Sequence, residues 1–298
     1  MTASGEPGSG PAARLSAPRA RVRSLRDYFG GYLERARYLV PMDDRTSSVR
    51  RRFITARGVV LFALFDLNDV VISRWGGDLP EIWDASTFPW IEPIEAATDD
   101  ILHELRAYLD AHDPIPQVAE IAGLQPGSEE AMNSAPVDRG VWRALILLAN
   151  GRWIDETARY FPRTRAAVAR CPQMTTVGFS VLEAHSHIAL HAGTNGGALR
   201  YQLPVVVPGE PGDCRIKIGE ETVVWEKGES VVFDLRVWHE AWNDAPAQRV
   251  LFMIETAMPL RPPLSWLNRI VQYQFRFFPS VRDMPDRVRA LESERVHA

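Results

Sequence analysis

From Thr175 onward the chain alternates short apolar runs with Gly, Pro or acidic breaks: TTVGFSVLEA, HIALHA, ALRYQLPVVV, CRIKIG, ETVVWE, SVVFDL, HEAW and RVLFMIE. Runs this short and this closely spaced predict a β-sandwich or a jelly roll. The front half follows a different period. IEAATDDILHELRAYLDAH (94–112) places Ile101, Leu105 and Leu109 on one helical face, and SLRDYFGGYLERARYLV (24–40) has apolar residues at similar spacing. VWRALILL (141–148) predicts a buried strand, and DETARYFPRTRAAVARCP (155–172) a helix broken at Pro162. Residues 113–140, interrupted by Pro and Gly, predict a long loop of the kind that covers substrates. LSWLNRIVQYQFRFF (264–278) predicts an aromatic-rich helix that packs on the outside of the sheet or offers a face to a membrane or partner.

These periods divide the 298 residues into a disordered tail at 1–22, a mainly helical region at 23–135, a β domain at 136–260 and a helical extension at 261–298. The fold class is mainly β with flanking helices. The tail, MTASGEPGSGPAARLSAPRARV, lacks the apolar core of a secretion signal. The most apolar stretch is GVVLFALFDLNDVVI (58–72), which Asp66, Asn68 and Asp69 interrupt. It falls short of the roughly 20 apolar residues of a spanning helix, although the neighbouring RRRF favours an anionic membrane surface.

Composition changes this picture little. A net charge of −4 gives no reason to expect a nucleic-acid partner. Two cysteines, Cys171 and Cys214, are too few for a disulfide framework and point to a reducing cytoplasm.

The chemistry sits in two histidines. His191 ends a strand before a Gly-rich turn, in HIALHAGTNGGALRYQLPVVVP, and His239 begins a strand in FDLRVWHEAW. In a jelly roll two such strand ends meet at the mouth of the barrel. Imidazole nitrogen suits iron, and a two-histidine site with open positions suits Fe(II) that must also bind a cosubstrate and oxygen. Arg249 follows on the next strand, and its planar fork can hold a carboxylate bidentately. Other histidines read differently: His185 and His187 as strand or turn residues, His103 as a solvated helix residue.

From about 140 to 260 the chain resembles the catalytic domain of the aspartyl/asparaginyl β-hydroxylase family, which are Fe(II)- and 2-oxoglutarate-dependent oxygenases. The order and spacing of Ser180, His191, Arg200, His239 and Arg249 carry the resemblance. It implies a double-stranded β-helix (jelly roll, cupin-like) core in which His191 and His239 bind the iron. It also implies that Arg249 pairs with the distal carboxylate of 2-oxoglutarate, with Ser180 hydrogen-bonding beside it. Arg200 would face an anion, either cosubstrate or substrate. The products would be succinate, CO2 and a substrate hydroxylated at an unactivated carbon.

Where most such oxygenases place Asp or Glu two residues after the first histidine, this chain has Gly193. The animal members of the family share that glycine, and water fills the position. The same opening would admit a halide, as in the unrelated 2-oxoglutarate-dependent halogenases. An aspartate introduced there would have to fit where the turn calls on glycine's conformational freedom. Two departures bear on substrate. Ala198 stands where the aspartyl enzymes carry a second substrate-side arginine, and Gln202 replaces a histidine near the cosubstrate, where it can still donate a hydrogen bond. Together with the lack of tetratricopeptide helices, this makes a small molecule or acyl chain at least as good a substrate as an aspartyl or asparaginyl residue. The contrasting function is a non-enzymatic cupin-like ligand-binding protein.

Overall fold

The computed structural model describes residues 48–122, 137–193, 196–277 and 282–296. The expected tail at 1–22 and helix at 24–40 lie outside these residues. Two antiparallel sheets form the centre. The larger contains β1 (Ile82–Trp83), β3 (Trp142–Ala149), β4 (Arg152–Trp153), β5 (Met174–Leu182), β7 (Ala198–Val206), β10 (Val231–Asp234) and β12 (Arg249–Ala257). Its order is β1-β10-β7-β12-β5-β3-β4. The smaller contains β2 (Val137–Arg139), β6 (Ser186–His191), β8 (Cys214–Ile218), β9 (Glu221–Val224) and β11 (His239–Asn243), in the order β2-β6-β11-β8-β9.

Between β5 and β12 the chain passes back and forth between the sheets, and only β8 and β9 are consecutive in one sheet. That winding is a double-stranded β-helix, one form of the jelly roll. The outer face of the larger sheet is closed by helices α2 (Ile91–Ala96), α3 (Thr98–His112) and α6 (Pro162–Ala167), with α5 (Asp155–Ala158) beside β3. Ile94, Ile101, Leu105 and Phe161 pack there against Phe179, Tyr201 and Phe252. The predicted 94–112 helix breaks at Ala97, and Pro162 does not kink a helix but starts one, the position where its missing N–H costs nothing. The buried Glu104 carboxylate accepts hydrogen bonds from the Arg163 and Thr164 amides at that helix start. The 113–140 stretch holds a short helix α4 (Val118–Ala122) and strand β2, and residues 123–136 lie outside the described set.

A further helix, α1 (Ser48–Trp75), contains the whole apolar stretch at 58–72 and packs on α7 (Leu264–Phe275). The chain closes with α8 (Met284–Val296), which packs on α4 and β3. Among the described residues no helix is long and apolar enough to cross a membrane.

Strand β7 shows where function lies. Alternation sends Leu199, Tyr201, Leu203 and Val205 outward into the helix layer. The residues between them, Ala198, Arg200 and Gln202, turn toward the smaller sheet. An inner row that is polar where the core should be apolar marks a site rather than packing.

Candidate functional site

His191 and His239 are direct partners across β6 and β11. Plain alternation would not have brought them together. Ser186 and Ile188 of β6 are buried, so a period of two would turn residue 190 inward and His191 out. The register shifts by one residue between the Ala241–Ile188 and His239–His191 pairs. This bulge leaves Leu190 exposed and re-aims His191 at its partner, a use of bulges that recurs beside active sites. The two ring centroids are 4.1 Å apart.

Both rings are locked by the same device. His191 Nδ1 lies 2.8 Å from the Ala189 carbonyl and His239 Nδ1 lies 2.8 Å from the Val237 carbonyl. A carbonyl oxygen can only accept, so each Nδ1 carries the proton and each Nε2 keeps its lone pair. Burial holds the His191 imidazolium down to about 4, with the Arg200 charge acting in the same direction. Burial also pushes His239 well below its ordinary value, with His191 and Arg200 adding to the effect. A neutral imidazole with its Nε2 lone pair unprotonated is the form a metal ligand requires. Among the described residues no cluster of three or more His, Cys, Asp or Glu forms, so a metal here would take two protein ligands and leave several positions open.

Arg249 begins β12 and is 2 % exposed. Its Nε has no hydrogen-bond partner, and none of the ion pairs among the described residues includes it. Desolvation lowers its pKa to about 10. A buried cation without a counter-ion costs on the order of several kcal/mol, which a bound anion would offset. Arg249 faces Leu182 of β5, and Ser180 stands on the next rung of the same face, opposite Leu251. Ser180 Oγ accepts a hydrogen bond from Trp142 Nε1 at 2.9 Å, which leaves its own proton to donate. Gln202 is buried on the same inner surface with Oε1 unpartnered.

The anion that Arg200 faces here is Glu255, its direct partner on β12. Thr176 Oγ1 donates to the same carboxylate at 3.0 Å. Sequence reading missed Glu255, whose contribution becomes visible only once β7, β12 and β5 are placed side by side. Ala198, also on this inner surface, is fully buried.

Gly193 is tied by its amide to the Leu235 carbonyl at 2.7 Å. Its φ is not positive, so the glycine is required for space rather than for conformation, contrary to the expectation. A Cβ there would stand 3.0 Å from Leu235 Cβ and 3.1 Å from its carbonyl oxygen. The next turn is held from outside the barrel. Asn68 Nδ2 and Gln272 Nε2 donate to the Gly196 carbonyl, and Asn268 Nδ2 donates to that of Gly197. The role of these three amides went unrecognised in the sequence; the signals are Asn68 within the apolar run of α1 and the i, i+4 pair Asn268 and Gln272 on α7.

The remaining candidates are structural. His185 takes a left-handed turn conformation at φ 55°. His187 stacks on Trp242 and bonds Asp138, and His103 is exposed. Cys171 and Cys214 are buried free thiols.

Comparison with known proteins agrees with this geometry. A family model described as aspartyl/asparaginyl beta-hydroxylase matches residues 95–259. The chain is 28% identical over 246 residues to the ornithine lipid ester-linked acyl 2-hydroxylase of Rhizobium tropici, covering 82% of each chain. It is 24% identical over 202 residues to the human aspartyl/asparaginyl beta-hydroxylase, covering 63% of this chain and 26% of that protein. Among solved structures, a predicted oxalate decarboxylase from Thermotoga maritima aligns with a TM-score of 0.28 and 13% identity, over 40% of this chain and 84% of that one. The Schizosaccharomyces pombe Cnp3 cupin domain aligns with a TM-score of 0.27 and 8% identity, over 42% and 69%. The jelly-roll assignment rests on the strand order, not on these distant likenesses.

Proposed function

The chain belongs to the aspartyl/asparaginyl β-hydroxylase family, and from that premise we propose that it is an Fe(II)- and 2-oxoglutarate-dependent dioxygenase that hydroxylates an acyl chain carried by a lipid. The observation that carries the cosubstrate assignment is Arg249. A cupin that merely binds a ligand through two histidines has no need of a buried guanidinium that lacks a counter-ion among the described residues.

His191 and His239 would hold the iron through Nε2, the atoms their backbone hydrogen bonds leave available. Iron bound there supplies the oxygen activation that couples conversion of 2-oxoglutarate to succinate and CO2 with insertion of one oxygen atom into a C–H bond. The protein's own part is positioning. Arg249 receives the distal carboxylate as a fork, and Ser180, already accepting from Trp142, donates its hydroxyl proton beside it. Gln202 faces the same space with an unsatisfied amide oxygen and can orient a polar group of the cosubstrate. Arg200, anchored by Glu255, keeps a positive charge near both imidazoles, which disfavours their protonation. Gly193 places no carboxylate ligand beside His191, and its packing on Leu235 leaves no space for the Cβ of one.

The acyl substrate is favoured by the inner row of β7. Ala198 offers no charge for an acidic side chain, and a relative aligned over 82% of this chain is named as an acyl 2-hydroxylase. The test is succinate release with Fe(II), 2-oxoglutarate and air, screened over acylated amino-acid lipids, free amino acids and aspartyl peptides. Acylated lipids should stimulate release, with a hydroxylated acyl chain as product. Stimulation by peptides alone would overturn the substrate class, and a chlorinated product in high chloride would overturn hydroxylation.

A further inference from the structure

Helices α1 and α7 have two working faces. The buried faces carry Asn68, Asn268 and Gln272, which grip the carbonyls of Gly196 and Gly197, five and six residues beyond His191. The helix pair therefore sits beside the end of the barrel where the metal ligands lie. Among the described residues nothing covers the opposite faces. Phe53, Val60 and Leu67 recur every seven residues along α1 and so form one stripe. Trp266, Ile270 and Tyr273 do the same on α7 at spacings of four and three. All six are between 48% and 69% exposed. Among the described residues, eight of the twelve large apolar side chains that stand exposed belong to these two helices. A helix that is apolar on all sides is normally buried on all sides; α1 is not.

The exposed charges that the two helices themselves carry have one sign. Arg52, Arg57 and Arg74 of α1 and Arg269 of α7 are exposed. The only acidic residues of α1, Asp66 and Asp69, are buried, and α7 has none. The guanidinium of Arg57 lies over the Phe277 ring at 5.3 Å, and that of Arg276 over Tyr273 at 3.9 Å. This basic, aromatic surface belongs to a chain whose net charge is −4. A second copy using the same face would set arginine against arginine across a two-fold axis, which opposes self-association. An anionic bilayer satisfies both features at once, with acyl chains for the stripe and headgroup phosphates for the guanidinium groups.

We propose that the outward faces of α1 and α7 form a docking surface for anionic phospholipid bilayers, on which the protein lies without crossing, and which seats the His191 end of the barrel against the membrane. The proposal stands apart from the metal assignment and is tested without turnover.

The experiment is co-sedimentation of the full chain with phosphatidylcholine vesicles, with and without phosphatidylglycerol. Binding to the anionic vesicles should exceed binding to pure phosphatidylcholine by at least tenfold and weaken with salt. The combined variant Phe53→Ser, Leu67→Ser, Trp266→Ser and Ile270→Ser should lose binding at least tenfold while its circular dichroism and Tm stay native. Arg52→Gln with Arg57→Gln and Arg269→Gln should lower binding to anionic vesicles only. His191→Ala should bind like wild type, which separates this surface from the site. Equal binding of wild type and the serine variant, or none by either, would overturn the proposal. So would concentration-dependent dimerisation in the absence of lipid that the serine substitutions abolish, because that would assign the face to a second copy.

Discussion

His191 and His239 face each other across β6 and β11 at 4.1 Å between ring centroids, each with Nδ1 committed to the carbonyl two residues before it. Burial, against which those backbone bonds act, keeps both imidazoles neutral well below the ordinary histidine range, His191 down to about 4. Protons compete with a metal only below the ligand pKa. Divalent-metal affinity, measured by titration, should stay nearly flat from about pH 8 to about pH 5.5. Two histidines with ordinary pKa values near 6.5 would each be roughly 90% protonated at about pH 5.5, a loss approaching a hundredfold. A loss of that size would show that the rings are not held as described.

Arg249→Met should move stability and binding in opposite directions. It removes a desolvated cation that has no ion-pair partner among the described residues and substitutes an apolar chain of similar length. The ligand-free protein should melt a few degrees higher than wild type. The affinity for 2-oxoglutarate should fall more than tenfold, in line with the roughly 2–5 kcal/mol cost of truncating one partner of a buried charge pair. Thermal melts with and without 2-oxoglutarate read both effects. A lower Tm without ligand would mean that the guanidinium has a structural partner.

Gly193→Asp should not rescue a three-ligand site. Any Cβ there meets Leu235, and overpacking of this kind costs about 1–3 kcal/mol. A lower Tm with weaker or unchanged metal binding is the expected outcome, partly reversed by adding Leu235→Ala. A tighter metal site at native stability would contradict the packing argument.

Asn268→Ala tests the grip on the turn beyond His191. It removes the side-chain donor to the Gly197 carbonyl, which keeps the Met258 amide, and the oxygen that accepts from Asn68 and Gln272, which both keep the Gly196 carbonyl; each bond lost costs about 0.5–1.5 kcal/mol. Chemical denaturation should show that loss, and metal titration should show weaker binding with the helix content unchanged. Unchanged metal affinity would confine Asn268 to a structural role.

Much of this was legible in the sequence. The strand succession from Thr175 and the helix about Leu105 follow from period alone, as does the placing of His191 and His239 at strand ends. The bulge that turns His191 inward was not legible, because alternation from Ile188 points to Leu190 instead and the extra residue is fixed by pairing with β11. Asp66, Asn68 and Asp69 look in the sequence like interruptions of an apolar run. They are buried, and Asn68 bonds residues 128 and 200 positions away, separations that no local window contains. Glu255 stayed hidden for the same reason, since its partner Arg200 is 55 residues earlier.

The central claim is that two histidines and Arg249 together hold iron and 2-oxoglutarate. The most direct measurement is the visible absorption spectrum of the protein under anaerobic conditions on adding Fe(II) and then 2-oxoglutarate, since a charge-transfer band requires the cosubstrate to chelate protein-bound iron. Wild type should develop the band at about one equivalent of iron, His191→Ala and His239→Ala should not, and Arg249→Met should develop it only at much higher 2-oxoglutarate. Absence of the band in wild type, or its persistence in the double histidine variant, would contradict the account.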